Sequence, residues 1–158
     1  MIKIIGVGKI KDKALTSLIN EYLKRLQPYN KVEVIEVNDI INNVNNSTSQ
    51  NIEVLNKEAI NVLSKIKDNE FVILCDLHGT NLTSEKLASK INEVFTYKTS
   101  NITFVIGGSL GVGNSLIERA DFRWKLSDLT FTHQMVRVLI LEQIYRSFKI
   151  LSNETYHK

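Results

Sequence analysis

The chain has 158 residues, 43% hydrophobic and 23% charged, with a formal net charge of +3. That length and balance describe one folded domain with a core of its own and exclude a disordered or low-complexity chain. The one cysteine, Cys75, lies inside the apolar run FVILC, so an intrachain disulfide is excluded and a buried, reduced thiol is expected, as in the cytoplasm. The opening MIKIIGVGK has no signal-peptide pattern, and no apolar run nears the ~20 residues of a membrane helix, so neither secretion nor membrane insertion is expected.

Ile2, Ile4, Ile5 and Val7 predict a first strand that stops at Gly6-Val7-Gly8. This G-x-G lacks the third glycine and the downstream acid of a dinucleotide loop, and reads as a strand-to-helix turn. Asp12 is a candidate N-cap for a helix whose stripe is Leu15, Leu18, Ile19, Tyr22, Leu23 and Leu26, and Pro28 forbids its continuation. VEVIEV over 32–37 is a second strand. The asparagine-rich stretch from Asn38 to Asn51 reads as a long polar, mobile loop without chemistry. Ile52, Leu55, Ala59, Leu63 and Ile66 then mark a second amphipathic helix, closed by Asp68-Asn69.

Phe71 to Cys75 is apolar at consecutive positions, which predicts a central third strand ending at Asp76-Leu77-His78-Gly79. Thr83 caps a third helix with the stripe Leu87, Ile91, Val94 and Phe95, and Ile102 to Ile106 is a buried fourth strand. Asn114 to Ala120 has room only for a short helix, and Phe122 to Leu126 is a fifth strand with Trp124 packed inward. The longest helix runs from about His133 to Leu151. The alternation of strand and helix predicts an α/β domain, a parallel-rich sheet with helices on both faces.

Ligands in such sheets settle beyond the carboxyl ends of strands, where Gly107, Gly108, Gly111 and Gly113 allow tight turns and close approach. Alone, this loop is either an ordinary turn or a ligand site. Met135, Val136, Val138, Leu139, Ile140, Leu141, Ile144, Tyr145, Phe148 and Leu151 cover more than one stripe of the last helix. That helix is buried on several sides, either within one subunit or against a twofold partner. Over residues 1–25, Lys3, Lys9, Lys11, Lys13, Lys24 and Arg25 face only Asp12 and Glu21 in number, which is either a solvated face or a patch for an anionic polymer.

Gly107-Gly108-x-x-Gly111, Thr130-Phe131-x-His133-Gln134-Met135, Leu141-Glu142-Gln143-x-Tyr145-Arg146 and the terminal Tyr156-His157-Lys158 occur in this order. With Val7-Gly8-Lys9 and Arg25-Leu26-x-Pro28-Tyr29 near the start, they resemble the RlmH family of SPOUT-class rRNA methyltransferases over nearly the whole chain. The resemblance is weakest between Asn38 and Ile52. It implies a single domain over 1–158 with a deep C-terminal trefoil knot, in place of the unknotted doubly wound sheet that general topology rules favour. It also implies a homodimer formed across that knot.

The same resemblance implies S-adenosylmethionine as methyl donor and S-adenosylhomocysteine as product. Carried over residue by residue, the cofactor positions are Cys75, Gly107, Gly108, Leu126, Ser127, Asp128, Leu129, Thr130 and Phe131. The implied acceptor is N3 of a pseudouridine in a hairpin loop of 23S rRNA in the large ribosomal subunit, with the assembled ribosome as partner. The chemistry calls for no metal. Candidate catalytic groups are His133, Glu142, Arg146, Tyr156 and His157. Candidate RNA contacts are Lys9, Lys11, Lys13, Arg25, Arg137, Arg146 and Lys158.

From the residues alone, His133 is either a catalytic group or a helix-start histidine bonded to backbone, and Glu142 with Arg146 is either an i, i+4 surface pair or part of an interface. The tail 152–158 is implied to reach the partner subunit's active site. Three positions depart from the family pattern: Thr132 replaces the usual proline of the TFPHQ run, Cys75 the usual leucine, and Asp128 a small or basic residue. Asp128 is thereby a candidate for attracting the sulfonium. A non-catalytic RNA-binding dimer, distinguished by failure to bind the cofactor, and a nucleotide-binding oxidoreductase are the alternatives.

Overall fold

The computed structural model describes residues 1–40 and 47–156. The elements follow in strict alternation: β1 (Ile2–Val7), α1 (Lys13–Leu26), β2 (Val32–Val37), α2 (Thr48–Leu63), β3 (Phe71–Asn81), α3 (Ser84–Tyr97), β4 (Ile102–Ile106), α4 (Asn114–Arg119), β5 (Phe122–Lys125) and α5 (His133–Leu151). The strands form one sheet in the order β2-β1-β4-β3-β5, and every neighbouring pair is parallel. All carboxyl ends therefore lie along one edge of the sheet.

β1 and β4 are buried at every position because helices cover both faces, which is why their sequences are apolar without alternation. Side chains still alternate between two cores. Ile2, Ile4, Ile73 and Phe104 meet α1, α3 and α5, while Ile5, Val72, Leu74 and Val105 meet α2 and α4. Each such fully buried side chain contributes about 1.5–3 kcal/mol. Trp124 on β5 is buried and meets Phe104 edge-on at 6.1 Å between ring centroids. At the amino end of the strands, the Lys3 ammonium pairs with the Glu70 carboxylate at 2.7 Å, and Thr103 donates to the same carboxylate at 2.7 Å.

The structure departs from the sequence expectations at several places. First, the expected loop over 38–51 gives way to helix at Thr48, because Ser47 and Gln50 form a reciprocal capping box; residues 41–46 of that loop lie outside the described residues. Second, β3 does not end before Asp76. Cys75 and Thr80 both pair with Trp124, so residues 76–79 bulge outward and the strand resumes to Asn81. Third, Leu18 is 46% exposed and lies off the buried stripe of α1. The helix α5 sits between α1 and α3 on the sheet, and packing within one chain buries Val138, Ile140, Leu141 and Ile144, one of the two arrangements the sequence left open. Met135 and Leu151 on the same helix are left exposed.

Candidate active site

A cleft of about 780 Å³ opens at the carboxyl ends of β3 and β4. Three chain segments supply most of its wall, the β3 bulge with Cys75 to His78, the glycine loop with Ile106 to Val112, and the passage from β5 into α5 with Leu126 to Val136, Asp128 and Met135 excepted, and Ile117 of α4 and Arg123 of β5 complete it. Its volume lies in the roughly 300–1,000 Å³ range of small-molecule sites. The glycine loop folds back tightly, with Gly111 N–H donating to Gly108 O at 3.1 Å. A Cβ on Gly107 would stand 2.3 Å from Gly111 O, so only glycine closes the loop here.

Eight of the nine expected cofactor residues border this cleft: Cys75, Gly107, Gly108, Leu126, Ser127, Leu129, Thr130 and Phe131. Asp128 does not. Its carboxylate is 79% exposed and pairs with Lys125. Thr132, the N-cap of α5, has φ −63° and accepts a hydrogen bond from Met135 N at 3.4 Å. That φ is the one proline would impose, so the backbone path of a proline is kept while a capping hydroxyl is added.

His133 borders the cleft at the first turn of α5. Glu142 and Arg146 lie farther along the same helix, and nine residues separate His133 from Glu142, about 13 Å of rise. They form a separate cluster: Arg146 donates to Glu142 at 2.6 Å and 3.0 Å, Tyr156 O–H reaches the same carboxylate at 3.3 Å, and Arg146 stands 4.8 Å over the Tyr156 ring. The tail folds back onto α5, with the Tyr156 ring 5.0 Å from that of Tyr145. His157 and Lys158 lie outside the described residues.

Of the expected RNA contacts, Lys9, Lys11 and Lys13 are exposed in the stretch leaving Gly8, and the Gly8 backbone faces His133. Arg25 pairs with Glu21 on α1. Arg137 is a correction: it is fully buried and donates to Val7 O, Gly8 O and Glu36, so its charge serves the interior and is withdrawn from any RNA surface.

The family model described as "Predicted SPOUT methyltransferase" matches residues 1–157. The chain belongs to the SPOUT methyltransferase family. Its relatives include proteins named ribosomal RNA large subunit methyltransferase H: one from Clostridium perfringens is 48% identical over 157 residues, covering 99% of both chains, and one from Finegoldia magna is 48% identical over the same length and coverage. The fold is similar to the solved structure of a "probable methylase family protein" from Haemophilus influenzae Rd KW20. That match has a TM-score of 0.52 at 14% identity and covers 99% of this chain and 70% of the other.

In this SPOUT methyltransferase, burial and the neighbouring Arg137 charge hold the His133 imidazole below its ordinary value, against an opposite pull from Asp39. Burial, helped by Asp76, pushes the Cys75 thiol up to about 12, which keeps it protonated and uncharged in the wall. Two groups on the β3 bulge and β5 escaped the sequence reading. Asp76 accepts from His78 N at 2.9 Å and from Arg123 Nε at 2.7 Å; although burial pushes its carboxyl up, these partners outweigh burial and hold it below the usual range. The signal available in the sequence was an aspartate at the carboxyl end of a central strand. Its partner on β5 had none.

Proposed function

We propose that this SPOUT methyltransferase methylates large-subunit rRNA in the cytoplasm with S-adenosylmethionine as donor, at N3 of a pseudouridine in a hairpin loop. The observation that carries the reading is the cleft itself: apolar walls from Leu126, Val112 and Ile117 beside a glycine loop whose backbone a Cβ would block. Those features suit a flat base held by apolar contact and main-chain hydrogen bonds. The full-length relatives named ribosomal RNA large subunit methyltransferase H support the substrate class.

Gly107, Gly108, Leu126, Ser127, Leu129, Thr130 and Phe131 would hold the cofactor, which supplies an electrophilic methyl group on a sulfonium. In-line transfer to an imide nitrogen requires that its proton leave, so alignment and a modest base suffice. His133 is the proton acceptor in this reading: it borders the cleft, and its lowered pKa keeps the imidazole neutral at neutral pH. Lys9, Lys11 and Lys13 carry the RNA phosphates toward it.

The reading includes a knotted C-terminal half and a twofold dimer. Met135, Leu139, Glu142 and Arg146 follow one another at i, i+4, i+7 and i+11 along α5, and Met135 and Leu139 belong to neither core. This face meets the partner copy and brings Glu142, Arg146 and Tyr156 to the partner's cleft.

The test is methyl transfer to ribosomes and to free 50S subunits from cells lacking the modification, with nucleoside mass spectrometry and the solution mass recorded on the same sample. A new N3-methylpseudouridine supports the reading. A folded protein that binds neither S-adenosylmethionine nor S-adenosylhomocysteine overturns it.

A further inference from the structure

Glu58 on α2 is 6% exposed, although it carries a carboxylate. A buried carboxylate is costly unless its surroundings use it. Its Oε1 accepts the Ile40 N–H at 3.0 Å, fixing the chain just beyond β2. Its Oε2 lies behind the glycine loop, where a Cβ on Gly108 would come within 2.9 Å of it and within 3.2 Å of Val7 Cγ1. Gly108 also borders the cleft.

Ile40 is joined to Asp39, and Asp39 flanks His133. A Cβ on Gly8 would stand 3.4 Å from His133 Nε2 and 4.0 Å from Asp39 Cγ, so both side chains border the same point. The charged groups facing His133 are Asp39, from the β2 end, and Arg137, from its own helix. The group facing Glu58 is again Asp39, whose charge adds to burial in pushing the Glu58 carboxyl up, against the Ile40 hydrogen bond.

We propose that Glu58 is a positioning residue that seats the glycine loop and the Asp39–Ile40 segment on one carboxylate, so that the donor side of the cleft and the surroundings of His133 are set together. The proposal rests on the reading of this cleft as the cofactor site and of His133 as the proton acceptor. A coupling of this kind gives the enzyme a fixed distance between methyl donor and base without any contact between them.

The experiment compares Glu58→Gln, Glu58→Ala and Gly108→Ala with the unaltered protein, reading S-adenosylhomocysteine affinity by calorimetry and the His133 titration by NMR. Glu58→Gln keeps an oxygen for Ile40 and the shape behind Gly108, so both readings stay within about twofold of the unaltered protein. Glu58→Ala removes the acceptor for Ile40 and the support behind Gly108, and weakens binding about tenfold. It also lowers the His133 pKa further as Asp39 moves away. Gly108→Ala presses on Glu58 and shifts the His133 titration as well, which decides the matter if Glu58→Ala does not fold. A folded Glu58→Ala with both readings unchanged overturns the proposal, as do equal losses in the Gln and Ala variants or a Gly108→Ala that leaves His133 unmoved. If the unaltered protein binds no S-adenosylhomocysteine, the cofactor reading fails, and the His133 titrations still decide the coupling.

Discussion

The guanidinium of Arg137 on α5 donates to the main-chain carbonyls of Val7 at 2.8 Å and Gly8 at 2.6 Å, tying the last helix to the end of the first strand. A third bond reaches Glu36 on β2 at 3.2 Å. One side chain thus fixes His133, a single turn earlier on α5, relative to the carboxyl edge of the sheet. Arg137→Met keeps much of the volume but leaves two buried carbonyls without a donor, at about 1–3 kcal/mol each. Urea unfolding at fixed protein concentration is expected to show a loss of about 2–5 kcal/mol. An unchanged midpoint would mean that water replaces the guanidinium.

Gly107→Ala sets a Cβ against the Gly111 carbonyl, a backbone atom that cannot rotate away. Overpacking of this kind destabilises the fold by about 1–3 kcal/mol, so the thermal midpoint is expected to fall by about 2–4 °C per kcal/mol, and the displaced loop to lower cofactor affinity by about tenfold or more. Calorimetry with S-adenosylhomocysteine measures it. Undiminished binding would show that the loop is not part of the ligand site.

The lowered pKa of His133 gives the sign of the pH dependence. A proton acceptor must be neutral, so kcat/KM is flat above about pH 7 and falls as pH drops through a value below the ordinary ~6.5. The stability term has the same direction: the folded pKa is depressed, so the contribution is complete above the unfolded pKa and is lost as pH falls through the folded one. His133→Asn is expected to reduce methyl transfer about 100-fold and to remove this acid limb. A full-rate Asn variant with the limb intact would assign the proton to another group.

Thr132 already holds φ −63°, within reach of proline. Thr132→Pro loses a cap worth about 1 kcal/mol and gains about 0.4–1 kcal/mol from a stiffer unfolded chain, so stability and cofactor affinity are expected to stay nearly level. Differential scanning calorimetry and ligand titration test this on one sample. A large drop would mean that the Thr132 N–H has a partner that proline deletes.

Asp128 faces Lys125 on the surface and does not border the cleft. Asp128→Asn is therefore expected to leave the affinities for S-adenosylmethionine and S-adenosylhomocysteine unchanged. A selective loss of the former would restore Asp128 as a counter-charge to the sulfonium.

Much of the architecture was legible because it follows from local pattern. The apolar runs of β1, β3 and β4, the stripe of α3 and the caps at Asp12 and Thr83 each state their element in a few consecutive residues, and the alternation of elements carries the parallel sheet. Where the reading failed, a local signal was overlooked or the cause lay at a distance. The Ser47–Gln50 capping box was present in the sequence and was masked by surrounding asparagines. The β3 bulge, in contrast, exists because two residues share Trp124 on a strand some fifty positions later.

The sequence by itself determined the α/β alternation, the glycine loop and the family, since each is written in short spacings and residue types. Only the tertiary structure decided what the charges do. Arg137 looks like any cation on a helix and is spent on the carbonyls of Val7 and Gly8. Glu142 and Arg146 form the i, i+4 pair that their spacing allows, and Tyr156 joins them about two and a half turns from His133. Glu58, unremarkable in α2, reaches both Ile40 and the back of Gly108. The physical reason is that hydrophobic periodicity is local, whereas the fate of a buried charge depends on which distant backbone and side-chain groups the fold brings to it.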